Sequence, residues 1–147
     1  MLRKRKPYLQ SIRHNQKQQQ NGSACPFCAF NEVGSIIETT ETMIVIKNHI
    51  PFNVFDGSIV DKHYMVIPKK HRTKLLDFTD AERSEYLELV AKYEDTNFNS
   101  FTRSTQSKSR SQPHYHTHLL QTSQLFVRAL LYLEKPYTLW YLKYKSK

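Results

Sequence analysis

The sequence predicts an α+β domain: an antiparallel β-sheet with one principal helix and a C-terminal β-hairpin. Three observations lead there. Short β-branched or alternating runs outnumber helical patterns, there is one strong helix start, and the connections are too short for βαβ crossovers except at that helix. In chain order, residues 33–38 and 43–47 read as strands, and Thr39-Thr40-Glu41 between them suits a hairpin. Residues 48–62, with Pro51, Asn53, Asp56 and Gly57, read as a loop. Residues 63–67 alternate and stop at Pro68, as a strand does. Thr79-Asp80-Ala81-Glu82 is a capping box, in which the threonine oxygen and the glutamate satisfy orphan amides. The helix it opens should run to about residue 94, with Tyr86, Leu89, Val90 and Tyr93 on one face. Residues 97–102 suit a strand, 103–113 a polar loop without an acid, and 114–120 a further strand. Residues 125–133 and 137–144 flank Glu134-Lys135-Pro136 and should pair.

At 147 residues, with 39% apolar and 12% aromatic side chains, the chain fits one domain with a real core and a tail. No run approaches the roughly 18 apolar residues of a membrane span, and no apolar signal block opens the sequence. Two cysteines cannot build a disulfide scaffold, which points to a reducing, cytoplasmic setting. Three glycines exclude a GxGxxG nucleotide fold and any Gly-rich linker. The net charge of +9 is unevenly spread. Residues 1–24 carry six basic side chains and no acid, residues 25–95 are net −4, and residues 96–147 are net +7. The first block also holds Gln16-Lys17-Gln18-Gln19-Gln20, which buries nothing, so 1–24 is expected to be a disordered basic tail and 25–147 the globular domain. Such a tail either solubilises the protein or touches nucleic acid.

Five of the seven histidines fall in two places. His63 and His71 flank one strand, and His114, His116 and His118 alternate before Leu119 and Leu120. On a strand these three would share a face about 7 Å apart, far enough for adjacent rings to do different work. Three buried rings on one face each need a hydrogen-bond partner. A metal site, a phosphate site or both are therefore expected. Cys25-Pro26-Phe27-Cys28 alone is ambiguous between redox, structural and incidental roles.

His114-Tyr115-His116-Thr117-His118-Leu119-Leu120 resembles the His-x-His-x-His signature of the histidine triad (HIT) superfamily. The upstream run from His63 through Pro68 to His71 resembles that superfamily's strand and turn before its central helix. Asn48-His49-Ile50-Pro51-Phe52-Asn53 and Arg110-Ser111-Gln112-Pro113-His114 are similar to segments of the diadenosine polyphosphate phosphorylase and galactose-1-phosphate uridylyltransferase branch. The resemblance spans about residues 25–121 and implies a HIT-like fold and a nucleotide hydrolase, nucleotidyltransferase or phosphorylase. It implies His116 as nucleophile, His118 as phosphate donor, and Ser111 on the phosphate or leaving group. Asn48 would contact ribose, while Arg103, Lys108 and Arg110 would replace an anion-binding glycine loop that this chain lacks. The third histidine is kept where the phosphorylase and uridylyltransferase branches carry glutamine, so hydrolysis stays open. Zinc-carrying members imply a structural zinc ion on Cys25, Cys28, His71 and His114, a closed Cys2His2 set. His63 is expected to be structural or to support a neighbour. The expected partners are a dinucleoside polyphosphate or nucleoside phosphoramidate, with a homodimer admissible. Alternatives are an aprataxin-like hydrolase of adenylylated nucleic-acid ends and a non-catalytic nucleotide- or RNA-binding protein.

Overall fold

The computed structural model describes residues 9–10, 13, 25–28, 30, 33–107, 109–133 and 138–145, apart from the side chains of Val33, Tyr132 and Thr138. The expected disordered tail at 1–24 therefore lies almost wholly outside the described residues, as does Lys108. Seven strands form one sheet with every pairing antiparallel: β1 (Ile36–Thr39), β2 (Met43–Lys47), β3 (Val54–Phe55), β4 (Ser58–Pro68), β5 (Phe98–Thr102), β6 (Thr117–Leu133) and β7 (Thr138–Lys145). The order is β1-β2-β4-β6-β5, with β3 also on β4 and β7 on β6. The helix α1 (Asp80–Asp95) connects β4 to β5.

Local chemistry accounts for these elements. Thr79 Oγ1 accepts from the Glu82 amide at 3.2 Å, and Glu82 Oε2 accepts from the Thr79 amide at 2.8 Å, which is the capping box read from the sequence. Such a cap contributes about 1 kcal/mol. Glu82 also takes a bidentate contact from Arg72 and is 2% exposed, so it ties the helix start to the turn after β4. The helix extends one residue further than expected, to Asp95, and Asn97 turns the chain into β5 with φ 67°.

The structure departs from the sequence reading at several strand limits. Residues 33–35 form a 3-10 turn ahead of β1, Thr39 belongs to β1 so that the hairpin turns over residues 40–42, and the expected strands 114–120 and 125–133 are one strand, β6. Residues 48–62 are not all loop: β4 begins at Ser58, and Val54–Phe55 folds back on it through Asp56-Gly57. Both turn residues have positive φ, 47° and 72°, as a two-residue hairpin requires. Turn chemistry thus outweighed the polar composition. Conversely, β6 starts only at Thr117, so His114 and His116 stand in the segment leading into it. Residues 114–120 are buried throughout, on both alternating sets.

Register divides the sheet into two faces, because directly opposed residues share one. Met43, Val45, Val66, Leu119 and Phe98 pack with Phe78, Leu89 and Tyr93 from the helical side. Tyr86 is half-buried there, and Val90 is also partly covered. The opposite face carries Ile44, Ile46, Met65, Ile67, His63 and His118, with Phe27 and Phe30 packed against the aliphatic part. The helix therefore supports the sheet from behind and leaves this second face for the histidines. Beyond Val127, β6 and β7 continue as a two-stranded ribbon with Leu131, Trp140 and Leu142 exposed.

Candidate active site and metal centre

Hydrogen-bond partners sort the histidines into two groups. His114 is fully buried, and its Nε2 lies 2.9 Å from the Pro68 carbonyl oxygen. A carbonyl only accepts, so Nε2 carries the hydrogen and the neutral ring presents its Nδ1 lone pair. That Nδ1 stands 3.4 Å from Cys25 Sγ and 3.4 Å from Cys28 Sγ, while His71 Nδ1 is 3.3 Å from Cys28 Sγ. All four ligand atoms lie within 4.8 Å of one another, so the set can hold a metal ion. In a tetrahedral S2N2 site with bonds of about 2.3 and 2.05 Å, a sulfur–nitrogen edge is about 3.5 Å. The observed separations fit that shape. Burial pushes the His114 imidazolium down to about 4, aided by neighbouring His71, His116 and Arg110, which keeps the ring neutral. Burial and then Cys25 push the Cys28 thiol up to about 11, and a bound metal would displace its proton.

The second group begins two residues on. His116 Nδ1 lies 2.8 Å from the His114 carbonyl oxygen, so Nδ1 carries the hydrogen and Nε2 of the neutral ring carries the lone pair. The ring meets His118 edge-on, with centroids 5.1 Å apart. His63 Nδ1 accepts from the Phe52 amide at 3.1 Å, which leaves the hydrogen of the neutral ring on Nε2. His63 Nε2 is 2.9 Å from His118 Nδ1. The Asn48 amide nitrogen, 3.1 Å from the same Nε2, cannot accept, so that hydrogen goes to His118. His118 in turn carries its own hydrogen on Nε2. The two rings thus form a directed pair: Phe52 N–H to His63 and His63 N–H to His118, which keeps an N–H of its own at Nε2. Phe52 stacks on His63 at 4.8 Å and Phe101 on His118 at 4.6 Å, which fixes both planes.

The other expected residues are placed as follows. Arg103 holds its guanidinium over Phe52 and Phe101, 5.9 and 5.6 Å from their centroids, and donates to Ser109. It puts a cation beside the His63–His118 pair. Arg110 is turned elsewhere, donating to the carbonyls of Thr73, Gln112 and Pro113, so it braces the approach to the triad against the His71 turn. The Tyr115 amide adds a bond to the Arg72 carbonyl across the same gap. Asn48 uses Oδ1 on the Ile50 amide and directs its amide nitrogen toward His63 and Met65. Ser111 is half-buried, three residues before His114. Sequence reasoning missed Phe27, Phe52 and Phe101 as ring neighbours of the histidines. Their aromatic character was visible, but their positions depend on pairings across the sheet.

No family model matches the sequence, and no curated protein matches it. Solved structures do. A HIT family hydrolase from Legionella pneumophila Philadelphia 1 superposes with a TM-score of 0.50 at 15% identity, over 69% of this chain and 95% of that one. The chain has a HIT-like fold. A histidine triad protein from Clostridium difficile is similar at 21% identity, with a TM-score of 0.48 over 67% of this chain and 90% of that one. A histidine triad nucleotide-binding protein from Candida albicans gives 21% identity and a TM-score of 0.47, over 69% of this chain and 77% of that one. In the HIT-like frame here, β4 and β6 are adjacent central strands, which brings His63 and His118 into contact across 55 residues of sequence. Among the described residues no helix is long and apolar enough to cross a membrane.

Proposed function

We propose that this protein is a HIT-superfamily enzyme that cleaves a nucleotide at its α-phosphate through a covalent nucleotidyl-His116 intermediate. The observation that carries this reading is the His116 tautomer: a ring buried to 5% exposure, with Nδ1–H held at 2.8 Å and an electron pair on Nε2. An imidazole held this way is a nucleophile at neutral pH without any base to deprotonate it. In the first step Nε2 forms a bond to the α-phosphorus and the bond to the leaving group breaks; a phosphate leaves as the anion, and an amine takes its proton from solvent. The ring becomes cationic, and the His114 carbonyl at Nδ1–H stabilises that charge. His118 Nε2–H donates to a non-bridging oxygen, Arg103 supplies the nearby positive charge, and Ser111 serves the phosphate or the leaving group. Water or phosphate then attacks phosphorus, and the phosphorus–nitrogen bond breaks to restore His116. Asn48 contributes at the ribose edge.

The metal of this reading is zinc, on Cys25, Cys28, His71 and His114. The mixed thiolate and imidazole donors, with four protein ligands and tetrahedral edges, support a closed structural site. Bound there, zinc would supply fold stability and no chemistry. The domain unit is 25–147, and the basic segment 1–24 favours a second reading, delivery of the same site to adenylylated nucleic-acid ends.

The test is incubation with a panel of dinucleoside polyphosphates and nucleoside phosphoramidates, with and without phosphate, followed by product analysis. Acid-quenched mass spectrometry should locate a nucleotidyl group on the peptide holding His116, absent from His116→Ala. Turnover by His116→Ala close to that of the parent excludes covalent catalysis at this position.

A further inference from the structure

We infer that the loop between the two cysteines is part of the catalytic apparatus, with Phe27 acting as a positioning residue for the nucleophilic ring of His116. The inference rests on the function proposed above. Phe27 belongs to the Cys25–Cys28 turn, which is closed by the Cys28 amide on the Cys25 carbonyl at 2.9 Å. Its ring meets two imidazoles edge-on at 74°, with centroids 5.8 Å from His114 and 5.6 Å from His116. It is half-buried and rests on the Ile44, Ile46, Met65 and Ile67 cluster. One aromatic side chain therefore bridges a metal-ligand candidate and the nucleophile.

The hydrogen bond from His116 Nδ1 to the His114 carbonyl fixes one end of the ring. That bond sets Nδ1 and leaves the ring able to tilt through χ1 and χ2. Two ring contacts limit that tilt: Phe27 at 5.6 Å and His118 at 5.1 Å, both nearly perpendicular. The His118 ring is held in turn by Phe101 and His63. The Phe27 ring is held at both ends of its turn, because Cys25 and Cys28 face His114 and His71 at 3.3–3.4 Å. An in-line attack on phosphorus depends on the direction of the Nε2 electron pair, so a tilted ring lowers the rate of the chemical step without preventing substrate binding. This gives the cysteine turn a reason to be next to the triad besides stability.

The test uses metal-loaded full-length protein with Phe27→Leu, Phe27→Met and Phe27→Tyr. Metal content and melting temperature establish that each variant is folded and loaded, and Phe27→Met substitutes if Phe27→Leu fails to fold. Two readouts follow: kcat and KM on a nucleoside phosphoramidate, and the imidazole 15N resonances of His116. Phe27→Leu should lower kcat by about 10- to 100-fold with KM unchanged, and should shift or broaden the His116 signals. Phe27→Tyr should restore both. A rise in KM with kcat intact overturns the inference, since Phe27 would then only be a wall for substrate. Unchanged kcat and unchanged His116 resonances in Phe27→Leu also overturn it. If the parent turns over nothing in the panel, the proposed function fails, while the resonances still decide whether Phe27 sets the His116 ring.

Discussion

Replacing His63 by phenylalanine separates positioning from chemistry in the second histidine group. The variant keeps an aromatic ring on Phe52, now stacked at 4.8 Å, and removes both ring nitrogens. Two of the hydrogen bonds described above disappear. The Phe52 amide loses its buried acceptor, which should cost about 1–3 kcal/mol of stability. His118 loses the donor that keeps its Nδ1 unprotonated, a neutral hydrogen bond worth about 0.5–1.5 kcal/mol. At about 1.4 kcal/mol per decade, the tautomer effect on kcat is at most about tenfold. His118→Ala instead removes the donor to the phosphate outright, about 2.7–4 kcal/mol or 10²- to 10³-fold. The assay is kcat on a nucleoside phosphoramidate for the parent, both single variants and the double variant. If His63 acts only through His118, adding His63→Phe to His118→Ala changes nothing more, and the two effects are strongly non-additive. Multiplicative losses refute the directed pair, because His63 would then act on the substrate itself. A single His63→Phe loss as large as that of His118→Ala refutes it as well.

Three further outcomes are expected. Protein purified without added metal should contain close to one zinc per chain by elemental analysis, and His114→Ala should lose zinc and melting temperature before activity falls; the binding energy coupled to folding is on the order of 10 kcal/mol at most. Deleting residues 1–24 should leave melting temperature and small-nucleotide turnover nearly unchanged, while polynucleotide affinity measured across salt concentrations should lose up to about five units of log–log slope for the six lost charges. Glu85 accepts from the Thr40 hydroxyl and from the Thr42 amide and hydroxyl, contacts that hold its carboxyl below the usual range. Its stabilisation is present above the unfolded value of about 4.3 and is lost as pH falls through the lower folded one, so parent and Glu85→Gln should differ in melting temperature at pH 7 and converge in acid.

The parts of this molecule legible in the sequence are those fixed by short-range rules. The Thr79–Glu82 box and the Pro68 strand end are each satisfied within four residues and stand where they were expected, and the first hairpin turns one residue later, over 40–42. The Asp56-Gly57 hairpin was equally local, but polar neighbours hid it inside a presumed loop. The triad was harder. Alternation suggested a strand with one shared face, whereas Tyr115 packs into the helical-side cluster and residues 114–120 are all buried. Burial on both faces removes the alternation of environment on which a period-2 reading depends. The Cys25, Cys28, His71 and His114 cluster was approached through resemblance, and its closeness could not follow from spacing, since 89 residues separate Cys25 from His114.

The same long separations explain how neighbouring histidines come to serve different sites. His114 is held by the Pro68 carbonyl at the end of β4, and His118 by His63 near the middle of that strand. The triad segment therefore runs along β4 in the opposite sense, with its first ring at the metal-ligand end and its third ring at the Phe52 end. His116, between them, donates from Nδ1 to the backbone carbonyl of His114. Any displacement of His114 must then move the acceptor that holds His116 Nδ1. Loss of the metal should accordingly disturb His116 even where the sheet survives, whereas loss of His63 should leave His116 in place. Comparing the His116 imidazole 15N resonances in metal-depleted parent and in metal-loaded His63→Phe tests that ordering. A larger shift in His63→Phe would show that the nucleophile is held mainly from the His118 side.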